Sequence, residues 1–281
     1  MDQSTLFLII KVAAVFGWLG LLFTLERWRP KALDELRQPA PPNEGRFGWR
    51  RLLRNGTLWA GNLLLSPMVV LPVTALAASL SPVVRPEFLQ GWTGLVLDIL
   101  ILDMAIYWWH RFNHEVPFLW RFHEIHHLDE RLDTTSAVRF HFGEVVLSAF
   151  ARAVPVLALG IPLTSVVVFE LLVLISAIFQ HSNIKLPLKL ERALSRVLIT
   201  PSIHWVHHHA KRADTDSNYG TILSIWDPIF GTRSATERQV DMRIGVEGLG
   251  DRPLKELLLR PFSRQHPPSL NPAKAGAGEK E

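Results

Sequence analysis

Five long apolar segments constrain this chain more than any other feature. They lie near Thr5–Leu25, Leu58–Leu80, Trp92–Trp109, Val145–Ile161 and Leu163–Phe179. Crossing a bilayer as a helix takes ~20 mainly apolar residues, and the first three segments reach or approach that length. The last two are shorter and are joined only through Gly160-Ile161-Pro162, which predicts a tight helical hairpin. Whether 145–179 spans fully or re-enters stays open at this level. A soluble fold would need a very large polar shell to cover five such segments. The chain has 281 residues, 48% of them hydrophobic, with ten Trp against two Tyr, and Trp favours membrane interfaces. The expected fold is an all-α integral membrane bundle of about four to five embedded helices, with a cytoplasmic helical cap.

The N-terminal MDQST has no basic residue, and Lys11 lies inside the apolar run. This predicts an uncleaved first helix with Lys11 snorkelling outward rather than a signal peptide. Basic residues set the sidedness. Arg27, Arg29, Lys31, Arg37, Arg46, Arg50, Arg51 and Arg54 lie between the first and second segments, whereas Arg85 stands alone between the second and third. Arg111, Arg121, Arg131 and Arg139 follow the third segment, and Lys185, Lys189, Arg192, Arg196, Lys211 and Arg212 follow the hairpin. The arrangement that satisfies this pattern puts the basic loops and the C-terminus in the cytoplasm. Pro67 and Pro72 predict a kink in the second span.

The twelve histidines are the second constraint: none precedes His110, and eleven fall between His110 and His209. His110 and His114 are spaced i, i+4. His123, His126 and His127 are spaced i, i+3, i+4, and His204, His207 and His208 repeat that spacing. Such positions share one helix face. Two imidazoles of a group can reach one ion, and the third can reach a neighbouring ion. A four-coordinate zinc site uses three or four protein ligands, so eight imply two ions. Imidazole suits Zn, Cu, Fe and Ni alike, so ligand type alone does not choose the metal.

Residues 123–127, His-Glu-Ile-His-His, also match the H-E-x-x-H pattern of zinc proteases, in which Glu124 is the base. The third group has Trp205 where the second has Glu124. What repeats is the histidine spacing, and a protease would leave the first and third groups without a role. Two histidine-rich ions at the cytoplasmic ends of membrane helices suggest O2 chemistry on a lipid that enters from the bilayer. There is no cysteine, no Rossmann glycine fingerprint and no haem attachment motif, so electrons must come from another protein. No nucleic-acid partner is expected. The alternatives are a membrane zinc hydrolase and a metal transporter or sensor. Transporters place ligands near the bilayer midplane on broken helices, whereas these groups lie at helix ends.

These groups, with the blocks DMAIYWWHRFNHEVPFLWRFHEIHHLDERLDTTSAVRFH, QHSNIKLP, TPSIHWVHH and TDSNYGTILSIWDPIFGT, resemble the fatty acid hydroxylase and sterol desaturase superfamily over roughly 103–232. That resemblance implies a membrane hydroxylase, desaturase or monooxygenase with two irons, dioxygen and an external donor. Zinc in purified samples is compatible with this, because it outcompetes Fe(II) for such ligands. The implied metal ligands are His110, His114, His123, His126, His127, His204, His207 and His208, with His181 as a ninth and His141 as a further candidate. The family often has Pro-x-Glu after the histidine matching His141, and here Phe142-Gly143-Glu144 follows.

Asp103 and Tyr107 precede His110 and His114 on one helix face, and Asp103 could orient a histidine of another helix. Asp98 is expected to be structural. Glu115 and Glu124 could touch metal, although carboxylates so placed are more often solvated. Asn218 and Gly220 suit positive φ, and Asn218, Asp227 and Gly231 are expected to scaffold the third group. The expected division is 1–90 (membrane helices and a basic loop), 91–235 (catalytic domain), 236–265 (cytoplasmic segment) and 266–281 (a disordered tail).

Overall fold

The computed structural model describes residues 3–31 and 48–263. Arg37, Arg46, the side chain of Lys11 and the 266–281 tail lie outside the described residues. Among the described residues the fold is helical, with only isolated β-bridges. Each apolar segment forms a helix. α1 is Gln3–Trp28, and α2 (Trp49–Leu65) and α3 (Leu71–Ser79) are joined by one π-helical turn, Ser66–Val70. α4 is Gly91–Glu115, α5 is Pro117–His127, α6 is Phe142–Leu159 and α7 is Leu163–His181. Five short helices follow: α8 (Leu188–Leu194), α9 (Pro201–His207), α10 (Arg212–Thr215), α11 (Trp226–Phe230) and α12 (Leu254–Leu259).

Pro67 and Pro72 have no N–H to return to the preceding turn. The missing bonds are accommodated by the wider π turn rather than by a break, so Trp49–Ser79 stays continuous. At the far end of the hairpin Gly160 sits at φ 63°, a left-handed cap that releases α6 into α7. Asp98 of α4 secures this end: it accepts from Arg85 at 3.0 Å and from Ser165 of α7 at 2.7 Å.

Four helices among the described residues are long and apolar enough to cross a membrane: Trp49–Ser79, Gly91–Glu115, Phe142–Leu159 and Leu163–His181. Only 17% of the apolar window of Trp49–Ser79 is buried inside the protein, so its side chains meet the surroundings. Leu64, Met68, Leu76, Val96, Phe150 and Val154 are all exposed, which suits a lipid solvent and not water. α4 packs on α6 and α7, α3 on α6, and α1 on α7. The core between α4, α6 and α7 is built from Leu102, Val156, Val166 and Phe169.

Above this bundle the cap is held by buried ions. Arg50, Arg51 and Arg54 lie on α2 rather than in a loop, and Arg51 does not face solvent. The residue is 4% exposed, and its guanidinium donates to Asp129 at 2.8 Å, Asp133 at 2.8 Å and Ser136 at 3.0 Å. Arg139, also counted as a loop charge, is fully buried and pairs with Asp251, which Arg54 pairs with as well. Glu26 of α1 accepts from the Thr134 hydroxyl at 2.8 Å and the Asn183 amide at 3.0 Å. Residues of 3–90 and of 236–263 are thus tied into the same cap as residues 91–235.

Burial alone pushes the Asp129 carboxyl up, but the Arg51 and Arg139 guanidiniums overcome it and hold the group well below the usual carboxylate range. A depressed carboxylate stabilises fully above its unfolded pKa of about 3.9 and is lost only as pH falls through the folded value. Arg51→Met removes one partner and leaves Asp129 and Asp133 facing each other. The expected loss is about 3–5 kcal/mol, seen as a lower unfolding midpoint in detergent and larger at pH 8 than at pH 5, where the facing buried carboxylates of the variant can take up a proton. An unchanged midpoint, or a loss larger at pH 5 than at pH 8, would contradict this role.

Candidate metal centre

Four helices end at one place. His110 and His114 occupy the last two turns of α4, and His123, His126 and His127 the last two turns of α5. His181 is the final residue of α7, and His204 and His207 end α9 with His208 as its C-cap. Pro117 and Pro201 start α5 and α9 at positions where an N–H is not needed. Helix C-termini carry partial negative charge from their free carbonyls, which favours cations.

The nine imidazoles form two clusters, one of His110, His114, His123, His127 and His207, the other of His126, His181, His204 and His208. Within each, the candidate ligand atoms all lie within 4.8 Å of one another. Each H-x2-H-H group is shared out in the same way. Its i, i+4 pair enters one cluster and its i+3 member enters the other. Eight of the nine are at most 2% exposed, and His110 is half-buried.

Backbone carbonyls accept hydrogen bonds and cannot donate, so they assign the tautomers. Nδ1 of His110 donates to the Tyr219 carbonyl at 2.8 Å, and that of His207 to Ser217 at 2.7 Å. Nδ1 of His181 donates to Ala177 at 2.7 Å, and that of His126 to Arg139 at 3.3 Å. His123 Nδ1 meets Glu144 Oε1 at 2.7 Å, and His114 Nδ1 meets Asp216 at 3.4 Å. With its proton on Nδ1, a neutral ring presents a bare lone pair at Nε2. The Nε2 atoms of His126 and His181 nevertheless approach to 3.1 Å. Those of His114 and His207 are buried with no hydrogen-bond partner at all. Facing lone pairs repel, and a cation between them turns the repulsion into ligation. The donor set therefore fits metal ions, with outer partners of the kind that orient ligating histidines.

Burial first, and then the neighbouring rings, hold His126, His127, His204 and His208 well below the usual imidazole range, and His207 down to about 3. Lowered pKa values keep these rings neutral at pH 7, the form that binds metal.

The segment 216–232 is laid along α4 by a polar stripe. Asp103 accepts from the backbone of Ile222 and Leu223 at 3.1 Å each and from Trp226 Nε1 at 2.8 Å. It touches no histidine, so its expected part as a histidine-orienting group is corrected: it anchors the segment whose carbonyls do the orienting. Tyr107 meets Thr232 at 2.8 Å one turn further on. Asp227 accepts from Tyr219 N at 2.7 Å and Gly220 N at 2.9 Å, which shapes the turn behind His110 and His207. Asn218 adopts φ 52° and Gly231 φ 69°. Gly220 is needed for space and not for φ. A Cβ there would stand 2.9 Å from Asp227 Oδ2 and 2.7 Å from Ile199.

Other candidates lie elsewhere. His141 caps α6: its Nδ1 accepts from Gly143 N at 2.9 Å, and its Nε2 donates to the Leu258 carbonyl at 3.2 Å. Both nitrogens are thereby used, outside either cluster. Glu115 is half exposed in an i, i+4 pair with Arg111. Glu124, expected to be solvated, is 1% exposed and paired with Arg260 beside α12. Glu144 was missed as an outer partner, although the Glu of the Pro-x-Glu pattern was its one sequence signal.

Residues 95–232 match the fatty acid hydroxylase family. The chain is 31% identical over 199 residues to an ornithine lipid hydroxylase of Rhizobium tropici, covering 71% of this chain and 59% of that protein. It is 35% identical over 139 residues to human alkylglycerol monooxygenase, covering 50% of this chain and 30% of that one. To human cholesterol 25-hydroxylase it is 26% identical over 174 residues, covering 59% and 61%. It thus spans less than two thirds of the length of each relative. No solved structure matches. On these matches, and on the paired histidine clusters they enclose, the chain carries a fatty acid hydroxylase domain and belongs to the fatty acid hydroxylase and sterol desaturase superfamily.

Proposed function

We propose that this protein is a membrane-bound di-iron oxygenase that hydroxylates or desaturates a lipid with O2 and electrons from a separate donor protein. The observation that carries this is the pair of adjacent all-histidine clusters, in which His110, His126, His181 and His207 bond outward through Nδ1 to backbone carbonyls and so turn a bare Nε2 inward. The proposed ligands are His110, His114, His123, His127 and His207 for one ion, and His126, His181, His204 and His208 for the other. Two irons held there would supply the O2 activation that breaks an unactivated C–H bond. The protein's own part is to hold neutral imidazoles in fixed orientations, through Glu144 and the carbonyls of Tyr219, Ser217, Ala177 and Arg139, and to exclude water by burial. The three relatives named above are hydroxylases or monooxygenases by name, which favours oxygen insertion over desaturation. The absence of cysteine supports an external reductant.

Against the H-E-x-x-H hydrolase reading stands the Glu124–Arg260 pair, which commits the would-be base elsewhere. Lipid oxidation in cells expressing each variant separates the two. His110→Ala and His204→Ala are expected to abolish products heavier by one oxygen atom. Glu124→Gln still accepts from Arg260 and keeps substantial activity. Loss with Glu124→Gln, where a catalytic base is worth roughly 10²–10⁴ in rate, alongside active His110→Ala and His204→Ala at normal protein level, would overturn the oxygenase reading.

The clusters are further proposed to face the cytoplasm, because the basic residues concentrate on their side of the bundle. The chain has no native cysteine, so single cysteines report sidedness without background. Lys211 and Val84 are both exposed. Lys211→Cys is expected to resist a membrane-impermeant thiol reagent in intact cells, and Val84→Cys to react. The reverse pattern would refute this orientation.

A further inference from the structure

A small cavity of about 30 Å³, partly open to the surroundings, lies between α4, α6 and α7, lined by Ala105, Ile106, Trp109, Ser148, Arg152 and Phe169 among others. Its lining includes Trp109, the residue before His110. Arg152, also in the lining, belongs to an ion pair inside the membrane-length helices: Arg152 of α6 donates to Glu170 of α7 at 2.9 Å and to Ser148 at 3.4 Å. Glu144, Ser148 and Arg152 follow one another at i, i+4 and i+8 on one face of α6. Glu144 holds His123 at the level of the histidine clusters, and Arg152 lies about 12 Å further along the helix. An ionisable residue in a membrane span is costly and by default functional, and this one sits in the wall of a cavity that Trp109, the neighbour of His110 in the chain, also lines.

We propose that Arg152 and Glu170 are specificity-determining residues that hydrogen-bond an uncharged polar group of the lipid substrate, a hydroxyl, ester or amide, about 12 Å from the carbon presented to the histidine clusters. This deepens the oxygenase reading and rests on its claim that the substrate is a bilayer lipid. Charge balance selects the ligand class. The pair is net neutral, so an ionised headgroup gains nothing overall. A hydroxyl or amide can accept from the guanidinium and donate to the carboxylate, which together offer more donors and acceptors than their mutual bond uses. An apolar chain offers neither, and a site built around a polar group discriminates against ligands that lack one.

The test uses the full chain in lipid nanodiscs and the fluorescence of Trp109, taken as the difference between wild type and Trp109→Phe. The probes are dodecanol brominated at its far end and bromododecane. Held by its hydroxyl at Arg152, the alcohol places its quenching bromine near Trp109. Wild type is expected to bind the bromoalcohol roughly tenfold more tightly than the bromoalkane. The double variant Arg152→Leu/Glu170→Leu removes both charges together and is expected to lose that preference. Equal affinities in wild type, or a preference that survives in the double variant, would overturn the proposal. Should the double variant not fold, Ala105→Leu decides. It fills the cavity without touching the ion pair and is expected to weaken bromoalcohol binding about tenfold, and unchanged binding would overturn the proposal. The readout needs neither metal, O2 nor reductant. An intact preference without lipid oxidation therefore counts against the oxygenase reading alone, and lipid oxidation without a preference counts against this site alone.

Discussion

The structure depends on one arrangement of protons. Nδ1–H of His110, His126, His181 and His207 is committed to backbone carbonyls, so each of these rings turns a bare Nε2 inward. The lone pairs of His126 and His181, brought to 3.1 Å, repel each other, and positive charge between them relieves that repulsion. The surrounding architecture imposes that closeness. α4, α5, α7 and α9 end at the same point, and their terminal carbonyls add negative potential there. The ion-paired cap holds α5 and the segments that flank α9 in place.

α4 links the membrane to this centre. Its lower half packs against α6 and α7 through apolar side chains. Its upper half presents Asp103, Tyr107, His110 and His114 to the 216–232 segment. The segment's backbone then orients His110 and His207. A lipid-facing helix therefore sets the positions of two imidazoles both directly and through the loop it anchors. Small displacements of α4 are expected to register at the clusters, since the intervening contacts are hydrogen bonds of 2.7 to 3.1 Å.

Much of this was legible in the sequence, and the physical reason is periodicity. Apolar runs of membrane length read as helices, and Gly160 read as a hairpin turn because only a left-handed cap releases one helix into the next so tightly. Eight grouped histidines already exceeded what one ion takes, and the structure divides them, with His181, between two clusters. Tertiary partners were not legible. Arg51 counted as a loop charge, yet its carboxylates lie 78 and 82 residues away. Asp103 could be seen to share a face with His110, but nothing local says that its acceptors serve Ile222, Leu223 and Trp226. Glu124 was expected in solvent because Arg260 lies far along the chain. Gly220 read as a conformational glycine when its constraint is the carboxylate of Asp227. In each case the deciding contact joins segments whose spacing carries no pattern.

The central claim is that the histidine groups are shared between two separate ions and are not stacked around one. Diffraction from crystals of anaerobically purified protein loaded with Fe(II), recorded above and below the iron absorption edge, tests it most directly. The account predicts two anomalous peaks, one among His110, His114, His123, His127 and His207 and the other among His126, His181, His204 and His208. A single peak, or iron bound away from these nine imidazoles, would contradict it.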